Sequence, residues 1–193
     1  MKIKKLNVII AVCMISTCIY TQSFAQKNSK KTAKKEMDRK TEVKKINEDA
    51  EFVIKAAEAG RFAVLASELA KIKSSSQKLK DLADRLSTDH SKANNELRNL
   101  ADRKKIVIPA KLSETMQKKF ESLNNESTVN FDKAYTKEMI SDHKESIELY
   151  KKEANKGKAA EIKSWASEKL PTLKKHLEMI ENLSDAVKEV TVN

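Results

Sequence analysis

Glycine and proline are nearly missing from this chain: Gly60, Gly157, Pro109 and Pro171 are the only four in 193 residues. Turn dipeptides and alternating apolar–polar runs are missing too, so a β-sheet has no support. Cysteine occurs only as Cys13 and Cys18. Everything after residue 18 therefore lacks a thiol, which excludes disulfides, thiolate nucleophiles and cysteine-ligated zinc there. No glycine-rich cofactor loop and no nucleophile motif appears. What the chain does hold is charge, at 35% of residues, and three histidines.

The N-terminus reads as a processing signal. Lys2, Lys4 and Lys5 precede an apolar stretch from Leu6 to Tyr20, and Ser23-Phe24-Ala25 places small residues before a cut at Gln26. An apolar run of about fifteen residues falls short of the roughly twenty that span a bilayer. The expectation is a signal peptide over 1–25 and export to the periplasm or envelope. A retained anchor, or lipidation at Cys18 after Ile15-Ser16-Thr17, is the alternative.

Charge is uneven. The whole chain carries +11, but residues 26–47 hold nine Lys/Arg against Glu36, Asp38 and Glu42, while residues 48–193 come to only +2. The basic character belongs to a Lys-rich linker over 26–47, expected to be flexible or loosely helical. Such a tail favours anionic envelope surfaces without specificity. No nucleic-acid reading motif is present, so nucleic acid is not an expected partner. Sequence leaves the oligomeric state open.

Residues 48–193 suit one domain. Apolar positions recur every three or four residues among charged ones, the amphipathic-helix pattern. A first helix capped by Asn47 or Asp49 is expected to run to about Lys73, with small residues at Ala56, Ala59, Ala63, Ala66 and Ala70 that let a neighbour approach closely. Ser74-Ser75-Ser76 offers a cap for a second helix carrying Leu79, Leu82, Leu86, His90 and Leu97. Pro109 marks a connector, Ser113 a short third helix, and Asn124-Asn125 a turn. A long fourth helix opens near Thr128 or Asn130 and ends at Gly157, a residue suited to a left-handed cap. Pro171 is expected to kink or divide the last helix. The fold class that follows is all-α: a four-helix bundle with an extra short helix and a Pro-kinked last helix.

His90, His143 and His176 fall on the inward faces of three different helices. Neutral imidazole ligates metals, so a convergent set would make a metal or proton-handling site. Asp89 and Asp142 precede two of them and diverge by about 100° around the helix, so each can meet a histidine on another helix as ligand or outer acceptor. The competing interpretation is a buried Asp–His hydrogen-bond network that fixes helix register. The Glu-x-x-His signature of di-iron bundles is absent, because positions 87, 140 and 173 are Ser, Ile and Leu. Trp165, Tyr135 and Tyr150 are expected as core aromatics and the scattered methionines as gap fillers.

The ordered motifs Asp89-His90-Ser91-Lys92-Ala93-Asn94-Asn95-Glu96-Leu97, Ile108-Pro109, Phe131-Asp132-Lys133-Ala134-Tyr135, His143 and Leu170-Pro171-Thr172-Leu173-Lys174-Lys175-His176-Leu177 resemble one family. It is the exported, ferritin-like domain-of-unknown-function family 4142, over about Asp49–Leu183. The resemblance implies a ferritin-like helical bundle and an export route, and it places the family's recurrent histidines on His90, His143 and His176. It also implies a first-helix glutamate where this chain has Ala63. That departure weakens a metal site here unless Glu58 or Glu68 compensates with a different geometry.

The preferred expectation is a non-enzymatic exported envelope protein with a histidine-lined polar centre. That centre is either a buried network or a site for a divalent transition metal (Zn, Fe or Mn). One alternative is a metal-dependent oxidase or hydrolase using the three histidines with Asp89 or Asp142. The other is an interaction module whose basic tail meets anionic envelope polymers.

Overall fold

The computed structural model describes residues 34, 36, 37 and 48–190, with side chains as far as residue 185. The signal peptide expected over 1–25, and all but three residues of the linker expected over 26–47, lie outside the described residues. Among those described there are no strands. Five helices account for the fold: α1 over residues 48–73, α2 Gln77–Lys104, α3 Glu114–Asn125, α4 Thr128–Lys156 and α5 Ala160–Val190. No described helix is long and apolar enough to cross a membrane.

Local chemistry sets most of the boundaries. Ser76 caps α2, its hydroxyl accepting from Leu79 N–H, and Ser113 caps α3 by accepting from Met116 N–H. At the end of α2, Lys105 is left-handed (φ 57°), and Ile106 N–H bonds back to Ala101 O at 2.9 Å while its side chain packs on the core. That apolar contact offsets the cost of a non-glycine residue in this conformation. The expected turn at Asn124-Asn125 is displaced. Both residues are helical, and the break falls at Glu126 and Ser127, where Lys73 Nζ donates to Asn124 O and Glu126 O.

The buried side chains form two apolar groups. The first joins Phe52, Val53, Ala56 and Ala57 of α1 with Leu97 and Leu100 of α2, Ile147 and Tyr150 of α4, and Ile162, Trp165 and Leu173 of α5. The second joins Phe62, Ala66 and Ala70 with Leu79, Leu82 and Leu86, then Phe131, Tyr135, Met139 and Ile180. Early α1 residues therefore meet late α2 residues, and late α4 residues meet early α5 residues. Each pair is an antiparallel hairpin. The two hairpins are joined by the long connector that carries α3, whose Leu123 closes the second group.

The small residues of α1 do the work expected of them. Gly60 is buried, and a methyl group there would collide with the Asn94 side chain of α2. Asp49 behaves differently from the expectation. It lies inside α1, and its carboxylate accepts from Lys158 N–H at 3.1 Å and Ala159 N–H at 2.6 Å, tying the turn that leads into α5 to the first helix.

Two other expectations are refined. Pro171 sits within α5 without dividing it. The ring removes one backbone bond, a cost of about 3 kcal/mol or more. Trp165 and Leu173 in one apolar group and Ile180 in the other pack the helix down on both sides of it. Gly157 ends α4 as expected, but with φ −57° it is not left-handed. Space demands the glycine instead, because a Cβ would run into the Glu153 carboxylate.

That carboxylate carries a testable consequence. Glu153 is buried, its Oε1 has no hydrogen-bond partner, and burial, then the Asp49 charge, push its pKa up to about 7. Between pH 4.5 and 7 the folded state keeps a proton that the unfolded chain has released, so this residue lowers stability as pH rises through that window. Glu153→Gln should therefore match the parent at pH 4–5. At pH 8 it should exceed it by about 1–2 kcal/mol, allowing for solvent screening because Glu153 lines an open surface cavity with Asp49, Lys152 and Lys156. Urea unfolding at the two pH values checks this.

Candidate metal centre

Between the two apolar groups the bundle has a polar layer. Along α2 the order is Leu86, His90, Leu97. Along α4 it is Met139, His143, Ile147, and along α5 it is Leu173, His176, Ile180. Each histidine thus sits where its helix passes from one apolar group to the other, which puts all three at one height. His90, His143 and His176 are 8%, 0% and 1% exposed. His176, at the edge of its stripe in sequence, is as interior as the others. On α1 the Gly60–Asn94 contact fixes the register, and one turn on, the buried Ala63 comes level with His90. The first helix therefore adds a methyl group to this layer and no ligand.

The rings converge. Centroids are 5.3 Å apart for His90–His143, 5.3 Å for His90–His176 and 5.7 Å for His143–His176. One nitrogen from each lies within 4.8 Å of the others. Their partners settle which nitrogens are free. His143 Nδ1 donates to Met139 O at 2.8 Å, leaving Nε2, which stands 3.3 Å from His90 Nε2. His176 Nε2 faces Asp89 Oδ2 at 2.9 Å, leaving Nδ1, which is buried and has no hydrogen-bond partner.

Electrostatics keep the rings neutral. Burial, opposed by the Met139 hydrogen bond, pushes His143 down to about 4, and burial together with the other two imidazoles pushes His90 well below the ordinary histidine value. Burial also lowers His176, although Asp89 opposes it. At neutral pH all three therefore present lone pairs, the ligating form.

The carboxylates divide. Asp89 meets a histidine on another helix, as the sequence allowed. Asp142 is buried but is not part of the convergent group. Its carboxyl is pushed up to about 7 by burial, against the pull of Lys119 and with Glu138 and Glu145 nearby. Glu58 and Glu68 are committed elsewhere: Glu58 accepts from Ser113 N–H at 2.5 Å, and Glu68 pairs with Lys71 at 2.8 Å. Neither joins the convergent group. Tyr135 and Tyr150 are core aromatics, and Tyr135 shares a 3.0 Å hydrogen bond with Ser67.

Sequence reasoning missed the Met139 carbonyl, because any helical histidine can reach back to the preceding turn. It also missed the wall beside the centre, built from Glu96, Tyr150 and Lys169.

A family model described as a domain of unknown function, DUF4142, matches residues 31–183. The chain belongs to the DUF4142 family. The match takes in all three histidines and helices α1–α4. No curated protein and no solved structure matches the chain.

Proposed function

We propose that this DUF4142 protein binds one divalent transition metal through His90, His143 and His176. The observation that carries the reading is the buried, unpartnered Nδ1 of His176 inside a convergent group of three imidazoles. A buried polar atom without a partner is costly, and a cation on its lone pair removes that cost. The spacing supports this for one pair of nitrogens, while the full set of three spreads to as much as 4.8 Å and would close in on an ion. A tetrahedral metal with nitrogens at about 2.05 Å spaces them by roughly 3.3 Å, and His90 Nε2 and His143 Nε2 are 3.3 Å apart. The matching spacing of ring centres is roughly 5.2 Å, against 5.3, 5.3 and 5.7 Å here. An all-imidazole set suits zinc or iron better than manganese. The Met139 carbonyl and the Asp89 carboxylate act as the outer acceptors that fix ring orientation and tautomer. The two-hairpin topology with one long crossover supports a ferritin-like layout for the bundle. The basic, apolar and small-residue pattern of residues 1–25 supports export.

Metal analysis of protein purified without chelator or affinity tag tests the reading. About one equivalent of metal per chain is the expected result. Less than about a tenth of an equivalent, with none taken up on adding Zn2+, would leave only a buried polar network.

Asp89→Asn keeps an acceptor near His176 Nε2 but removes its charge. Metal affinity should fall about 10–100-fold with stoichiometry unchanged, as is usual for an outer carboxylate. Competition against a chromophoric chelator measures it, and an unchanged affinity would remove Asp89 from the site.

A further inference from the structure

Beside the polar layer lies a cavity of about 140 Å3 whose wall includes Asp89, His90, His176, Glu96, Tyr150 and Lys169, so that two carboxylates face it as well as the Lys169 ammonium. Two of the three imidazoles thus border open space, while His143 is sealed on the other side. The cavity far exceeds the ~10–15 Å3 that one water needs. It falls short of the ~300 Å3 at which drug-sized pockets begin. Its capacity is for a few heavy atoms.

The charge balance says what kind. Three neutral imidazoles would leave a divalent ion with its full charge in a buried layer. Asp89, the carboxylate closest to the ligand set, is committed to the outer nitrogen of His176. By the α1–α2 register the residue of α1 level with His90 is the buried Ala63, which carries no charge. Buried charge needs compensation. The wall also supplies donors. Tyr150 makes no hydrogen bond through its hydroxyl among the described residues. Lys169 Nζ is held by Glu96 Oε2 at 2.5 Å, and Trp165 Nε1 donates to the same oxygen at 3.3 Å. Lys92, exposed, stands at the same cavity.

We infer that this cavity admits a small oxyanion, a carboxylate or inorganic anion of a few heavy atoms, to the fourth coordination position of the metal held by His90, His143 and His176. Lys169 and Tyr150 are its recognition groups. The inference rests on the metal reading, and it makes the centre an open site rather than a closed structural one.

Co2+ separates the two claims, because a tetrahedral Co2+–imidazole site absorbs strongly in the visible. Full-length protein is titrated with Co2+, then with acetate, phosphate and, as a neutral isostere, acetamide. The expected result is a visible band at one equivalent of Co2+ that acetate or phosphate shifts at millimolar concentration and acetamide does not. Lys169→Met should bind Co2+ in full and weaken the anion response at least fivefold. A band that forms but ignores every anion overturns the inference and leaves the metal reading standing. A band shifted equally by acetamide overturns anion selectivity. No band at all overturns both.

Discussion

Protein in which glutamine replaces His143 is expected to come off purification with less than about a tenth of an equivalent of metal while remaining folded. His143 is the most enclosed of the three rings, at 0% exposure, and the only one whose orientation is set by its own helix, through Met139 O. Binding free energies for imidazole and thiolate zinc sites, about 10–16 kcal/mol shared over four ligands, give each ligand roughly 3 kcal/mol, or about two powers of ten in affinity. Glutamine has the length to keep a hydrogen bond to the Met139 carbonyl, so the helix itself should survive. A buried network makes a different forecast: a stability loss of about 1–3 kcal/mol with no metal to lose. Metal content and thermal unfolding on the same preparation distinguish the two. Should His143→Gln fail to fold, His90→Gln, at the more open ring, repeats the comparison.

The second large effect lies in the core of α1. Phe62 is fully buried within the second apolar group, which also holds Leu79, Leu86, Phe131 and Tyr135. Phe62→Ala should cost about 3–5 kcal/mol, the range for removing a buried aromatic ring and leaving a void. For a domain of this size that is a large share of a total stability of about 5–15 kcal/mol, and it should lower Tm by on the order of 10 °C. Urea unfolding followed by the single tryptophan, Trp165, reads the loss. The slope with denaturant should not change, since the surface exposed on unfolding is nearly the same. Ile72→Ala is the control: Ile72 is 79% exposed and should move stability by no more than about 0.5 kcal/mol. A loss below about 1 kcal/mol at Phe62 would contradict the packing of α1.

Much of this architecture is written in local sequence. Ser76 and Ser113 are caps because a hydroxyl before a helical run satisfies an orphan N–H wherever it occurs, and the apolar spacing alone assigned the inward faces. The histidines were legible as inward residues for the same reason. Their common height was not, because it depends on loop length and on how far each helix slides past its neighbour. The Asp49 tie to the turn before α5 was invisible for a related cause: the two partners lie 110 positions apart. Gly157 was read for its backbone freedom, whereas its neighbour Glu153 decides the matter. Pro171 shows the limit of propensity, since packing on either side carried α5 through it.

Dividing the apolar interior into two halves has a kinetic corollary. Without a bound ion, the layer between the two apolar groups holds desolvated imidazoles and an unpaired nitrogen, while each half has an apolar interior of its own. Thermal opening should then begin in the middle of the long helices rather than at their tips. Amide exchange would show two slow blocks flanking a faster belt, and loading the centre should weld the blocks into one cooperative unit.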